Sequence, residues 1–362
     1  MKFSSVLILL FIAFAPAAAQ QPAPRPAPRT PMPRPAPAPR AEPAPRPGED
    51  FVLERTASAE SGVAVSLCLS TGDVVVRGWD RGEVRARSAE GGALALQTDG
   101  AQPSRRVEVM VAAGEGARIE PGSCGMTSGL ELSVPRGATV SLRLSEGDVA
   151  VSDVAELTVN NMSGDVDVRG IGRSVEVSTM SGDVALADSR GRARLRAVSG
   201  SVQAVNVAPL SPGDALDASS TSGDVELTDV GHARVSGSTI SGSVQMSGAL
   251  APGGTYQFKS ISGDVTLELP ADASFRLNAK VVMSGEIITD FPVQATSVSS
   301  AGAPPAPPEP PTPPTAAQGR PRPPRRVHVA EPQPTHLVGT VGTGDAAVDL
   351  SSFSGTLHLK RR

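Results

Sequence analysis

Aromatic side chains are scarce in this 362-residue chain, at 3% of the total with one Trp and one Tyr. That shortage argues against a large conventional core, which draws much of its buried area from such residues. Lysine is rarer still: Lys2, Lys259, Lys280 and Lys360 stand against a majority of arginines, a bias that fits codon usage and excludes no function. Catalytic signatures are also missing. There is no G-x-S-x-G elbow, no H-E-x-x-H helix and no phosphate-binding loop, and His232, His328, His336 and His358 are scattered. The longest apolar run, Val6 to Ala15, is half the roughly twenty residues that a transmembrane helix needs.

Cysteine is limited to Cys68 and Cys124. Neither has the C-x-x-C spacing or the histidine neighbour of a metal or redox site, so no cofactor is expected. A disulfide and a pair of buried thiols both remain open, because separation in sequence says nothing about distance in space.

What is present begins with a leader. Lys2, the short apolar run, Pro16 and Ala17-Ala18-Ala19 form a positive start, a hydrophobic stretch and an A-x-A site. Residues 1–19 therefore read as a signal peptide cleaved after Ala19, which directs the chain to the periplasm or outside, with no transmembrane anchor after processing and no lipid-accepting cysteine. Residues 20–48 read as a Pro/Ala/Arg-rich disordered tether of polyproline type, and residues 302–334, with five Pro-Pro pairs, as a second disordered insert. Segment 22–48 sets five arginines against Glu42, and segment 302–334 sets four against Glu309 and Glu331, leaving the rest of the mature chain near −11. Basic arms on an acidic body suit contact with anionic envelope polymers or docking on the chain itself, or simply keep a Pro-rich linker soluble. Nucleic acid is excluded as a partner by export and by the acidic, aromatic-poor body.

The rest is repetitive. Gly147, Gly164, Gly182, Gly200, Gly223, Gly242, Gly263 and Gly285 follow one another at intervals of 17, 18, 18, 23, 19, 21 and 22 residues, with further copies at Gly72, Gly344 and Gly355. A period of that length marks a solenoid. After each glycine, pairs such as Val166/Val168, Val184/Leu186 and Val225/Leu227 alternate at period 2, and a second short strand precedes it, as in Leu157/Val159. The expected fold is an all-β, β-helix-like solenoid with coils of 17–23 residues: residues 49–140 as first coils and cap, 141–301 as the repeat, and 335–362 as closing coils. Met162, Met180, Val198, Ile240, Ile261 and Met283, each two residues before a glycine, are expected to point inward as a stacked file that Thr221 interrupts. Lys360-Arg361-Arg362 are expected to guard the far edge, and Trp79 with Asp80 to cap the first coil or offer a ligand platform.

Ser-Gly-Asp-Val at 163–166, 181–184, 222–225 and 262–265, Val134-Pro135-Arg136-Gly137, Gly78-Trp79-Asp80 and the ending Gly342 to Lys360 resemble the bacterial "putative adhesin" family. The resemblance covers roughly 51–300 and 335–362 and implies a cell-envelope β-solenoid. The chain departs from it in its two Pro-rich segments and in Ser201, Ser243 and Glu286, where Asp is expected.

The row Asp148, Asp165, Asp183, Asp224 and Asp264 is the one candidate for chemistry. Three uses fit: capping turns through bonds to nearby amides, binding a cation, or catalysis. The calcium-binding Gly-Gly-x-Gly-x-Asp repeat is absent. The reading that follows is a non-catalytic exported envelope protein for adhesion, scaffolding or binding of an envelope polymer or protein. The alternatives are a polysaccharide-processing β-helix enzyme and an envelope-stress sensor component.

Overall fold

The computed structural model describes residues 53–89, 92–114, 119, 123–299 and 335–362. The segments read above as signal peptide, tether and Pro-rich insert lie outside the described residues. All regular structure among the described residues is strand, from Leu53–Trp79 to Leu357–Arg361, in one continuous sheet.

Each coil of the solenoid holds two strands. In the coil around Gly164, Glu156–Ser163 runs into the glycine turn and Val166–Arg169 leaves it. A second corner then returns the chain to the next coil. Equivalent strands pair in parallel and in register, so that Leu142, Val159, Val177 and Leu195 share one column while Val149, Val166, Val184 and Val202 share another. Both columns are buried. Burying one such side chain contributes about 1.5–3 kcal/mol, and no coil can bury its own without neighbours above and below. The columns also trade volume: Gly237 lies between Ala218 and Phe258, and a Cβ there would meet the Phe258 ring at 2.8 Å. Phe258 thereby enters the core beside Tyr256, and Phe275 with Phe291 adds a second aromatic pair at the far end; the remaining layers are aliphatic.

The second corner is built differently from the first. Gly78, Asp153, Gly170, Asp188, Asn206, Asp229 and Gly248 stack there. Asp153, Asp188, Asn206 and Asp229 take φ of 59°, 49°, 54° and 51°. Gly, Asn and Asp are the residues that visit this left-handed region at least cost.

Residues 53–135 supply the first coil and its cover. Leu53–Trp79 runs through the Gly72 turn as both strands of one coil, and the strands from Glu83 to Pro135 fold over it with antiparallel as well as parallel pairing. Trp79 donates its indole N–H to the Glu83 carbonyl at 2.9 Å, between the guanidinium groups of Arg81 and Arg85.

The far end corrects the expected order. The last coil in space is the Gly285 coil, made by Phe275–Ser284 and Ile287–Thr289, and the Gly355 coil is inserted between it and the Gly263 coil. Gly344 is not a coil turn. It sits in the link between Thr335–Val341 and Ala346–Ser354, which flank Phe275–Ser284 on its two sides, one antiparallel and one parallel. Lys360 and Arg361 are the last residues of Leu357–Arg361, a strand that lies between Val265–Leu269 and Ile287–Thr289, so an edge-guarding role does not apply to Lys360-Arg361-Arg362.

Candidate functional site

Gly72, Gly147, Gly164, Gly182, Gly200, Gly223, Gly242, Gly263, Gly355 and Gly285 stack in that order and form one corner of the solenoid. At Gly164 a side chain would drive its Cβ into the carbonyl oxygen of Gly147, and the same holds at each step of the stack. The column is therefore glycine because the backbones approach too closely for any Cβ. The carbonyl oxygens of these glycines point inward, where they need donors. In several coils the residue three before the next glycine provides them: Asn161 Nδ2 donates to Gly147 at 3.0 Å, Ser220 Oγ to Gly200 at 2.7 Å, Thr239 Oγ1 to Gly223 at 2.9 Å and Ser260 Oγ to Gly242 at 3.0 Å.

That inner polar column reverses one expectation. Met162, Met180, Val198, Ile240, Ile261 and Met283 point outward, and Phe353 of the Gly355 coil joins them; all seven are 40–54% exposed. Strand alternation is the cause. With Leu157 and Val159 inside, the next inward position is Asn161, and Met162 must face solvent. Thr221 interrupts the file on the outside rather than in the core.

A serine row follows, including Ser163, Ser181, Ser199, Ser222, Ser241 and Ser262, all exposed. Beyond the glycines comes the acidic row, whose carboxylates bond the next coil rather than their own turn. Asp73 Oδ1 accepts the backbone N–H of Asp148 at 3.0 Å, Asp148 that of Asp165 at 2.9 Å, Asp165 that of Asp183 at 2.9 Å and Asp183 that of Ser201 at 2.8 Å. Asp224 accepts from Ser243 and Asp264 from Thr356, both at 2.7 Å. This explains the departures at Ser201 and Ser243: the ladder needs an N–H from each coil, and Ser201 Oγ even accepts the Asp224 N–H at 3.4 Å. Glu286 lies at the open end of the row. Beside Asp224, burial and then the charge of Asp224 raise the Glu226 carboxyl above its usual range, with a Gln203 hydrogen bond opposing them.

On the other side of the apolar stripe, four residues before the glycines, runs a row containing Arg143, Arg196 and Lys259, with Lys280 in the last coil. Sequence reasoning missed it; the signal was available once the coils were aligned. Two shallow grooves lie along this row. One of about 430 Å³ is lined by Arg143, Asn160, Arg196, Met162 and Met180, the other, of about 520 Å³, by Lys259, Lys280, Asn278, His336 and Asp349. Among the described residues no group of three or more His, Cys, Asp or Glu could hold a metal ion, and no helix is long and apolar enough to cross a membrane. Cys68 and Cys124 form a disulfide, with Cα atoms 4.6 Å apart, that ties the first coil to its cover.

The sequence profile of the family described as Toastrack DUF4097 matches residues 70–302. No curated protein matches the chain. Among solved structures, a crystal structure described as a "putative cell adhesion protein" from Clostridium sporogenes ATCC 15579 aligns over 86% of this chain and 99% of its own, at 9% identity and a TM-score of 0.22.

Proposed function

Because the chain belongs to the Toastrack DUF4097 family, we propose that it is a non-catalytic exported scaffold of the cell envelope that binds through the outer surface of its solenoid. The observation that carries this reading is the use of the Asp row. Carboxylate oxygens at 2.7–3.0 Å from the amides of successive coils cap the structure. A nucleophile or acid/base pair would instead need its oxygens aimed at a substrate. The surface also repeats its side chains at about 4.8 Å intervals in straight rows, which suits an extended or multivalent partner. Adhesion to an envelope polymer or holding of an envelope protein are the two forms this takes. The "putative adhesin" resemblance and the A-x-A site are consistent with both.

The test is fractionation of cells expressing the full chain, followed by intact mass of the exported form and capture of partners from envelope fractions. The expected result is an N-terminus at Gln20 and retention of envelope material by the solenoid. An unprocessed chain in the cytoplasm overturns the localisation. Release of reducing ends from an envelope polysaccharide by the purified protein overturns the non-catalytic assignment.

A further inference from the structure

The glycine corner carries three parallel rows: an apolar stripe, an acidic row beyond the glycines, and on the other side a polar row in which Arg143, Arg196, Lys259 and Lys280 are spaced among Asn160 and serines. From Met162 to Met283 the apolar stripe crosses eight coils, about 34 Å at 4.8 Å per coil. An aromatic side chain such as Phe353 carries roughly 150–250 Å², and the Met, Ile and Val residues of the stripe lie toward the lower end of that range. The seven side chains near half exposure leave on the order of 600 Å² per copy, at the upper end of patches found on monomers and, with the flanking rows, close to the roughly 800 Å² per partner of a stable interface. The serine row beside the stripe is small enough to let another surface approach closely.

The charges select the partner. Arg143, Arg196, Lys259 and Lys280 make no ion pair among the described residues, whereas the arginines farther from the corner do, Arg194 with Glu176 and Asp217 and Arg173 with Glu156. A surface that offers an unpaired basic row on one side of an apolar ridge and an acidic row on the other is complementary to itself, but in one orientation only. A two-fold axis parallel to the solenoid axis lays stripe on stripe and sets the basic row of each copy against the acidic row of the other. Coil by coil, Arg143 then faces Asp148, Lys259 faces Asp264 and Lys280 faces Glu286 of the second copy, while Arg196 faces Ser201, with Asp183 one coil away. A two-fold perpendicular to the solenoid axis sets basic row on basic row, which is repulsive. We propose that this chain forms a parallel, side-by-side homodimer along its glycine corner, with coils in register.

The experiment uses the mature chain with its disulfide intact. Sedimentation velocity over micromolar concentrations is expected to show a monomer–dimer equilibrium that weakens with salt. Met180→Lys with Ile261→Lys is expected to weaken it at least about tenfold, with circular dichroism and melting unchanged because both side chains are exposed in the monomer. Lys280→Glu alone weakens the dimer, and adding Glu286→Lys to the same chain restores it. Orientation is read from Met162→Cys, which lies opposite itself in the parallel arrangement and is expected to form a symmetric intermolecular disulfide on mild oxidation. A monomer throughout the range, or a dimer indifferent to the two stripe lysines, overturns the proposal. So does cross-linking of Met162→Cys only to Met283→Cys, which reports an antiparallel dimer. A monomer that instead holds lipid vesicles or an envelope glycan through the stripe assigns the ridge to that partner and overturns it equally.

Discussion

The two corners of each coil solve the same problem of reversing the chain, and they do so by different physics. At the glycine corner every coil has glycine, with φ between 125° and 155° from Gly147 through Gly263, because the neighbouring backbone occupies the space of a Cβ. At the second corner Asp153, Gly170, Asp188, Asn206 and Asp229 share one column with φ of 49–66°, because what is required at these positions is a left-handed residue; Gly78 at the head of the column is the exception, since a Cβ there would meet the Asp153 carbonyl. A repeated glycine in a solenoid is thus a steric requirement in one place and a conformational preference in another. Sequence spacing alone does not separate them.

The sharpest way to break this contrast is substitution at equivalent depth. Gly182→Ala is expected to cost on the order of 3–5 kcal/mol or to prevent folding, since the Cβ meets the Gly164 carbonyl and the φ is strained as well. Gly170→Asn, at φ 66° with only the side chain and outer backbone of Asp153 nearby, should stay within about 1 kcal/mol of wild type in denaturant unfolding. Equal costs at the two sites would remove the distinction.

Thr239→Val comes next in size. It keeps shape while leaving the inward Gly223 carbonyl without its donor, at about 1–3 kcal/mol. Third is the Asp ladder. Asp183→Ala removes the acceptor for the Ser201 amide and should lower stability by about 1 kcal/mol, while Asp183→Asn keeps an acceptor oxygen and should lie within about 0.5 kcal/mol of wild type. Melting is expected to be the same with and without a calcium chelator. A chelator-dependent loss in the wild type would show that the row holds a cation.

The smallest effect concerns the second-corner side, where irregular loops pack on the core. Tyr256, the single tyrosine, accepts the Ala251 N–H at 2.6 Å and donates to the His232 carbonyl at 3.1 Å. Burial raises its pKa, with the Ala251 hydrogen bond opposing. Because the folded value lies above the unfolded one, near 10, its contribution to stability is fully present below pH 10. It is lost as the pH rises through the folded pKa. Phenolate absorbance should therefore appear later in the folded protein than in the unfolded chain; coincident titrations would contradict this.

Much of the fold could be read from the chain because the signal is local and repeated: Val225 and Leu227 after Gly223 already place one strand face in the core. The error at Met162 arose where residue type and strand phase disagree, and phase prevailed because Asn161 is needed inside to bond the Gly147 carbonyl. The Asp bonds escaped notice because their partners lie 17 to 19 residues away in the repeat, whereas the expected Asx turn is local. The place of the Gly355 coil was not legible at all. Its sequence looks like one more turn of the repeat, and nothing in a repeat states which edge it will join.

That insertion also has a meaning in time. Residues 275–289 leave the ribosome well before residues 346–361, yet the latter are their inward neighbours in the finished stack. The last coil to be seated in space is thus made earlier than the one on which it rests, and contacts spanning about 70 residues must close late. Until they close, Phe275–Ser284 has no parallel partner of its own, and a chain halted in the Pro-rich insert has no means of finishing. The clasp formed by Thr335–Val341 and Ala346–Ser354 therefore closes the solenoid only once the C-terminal residues are available to it.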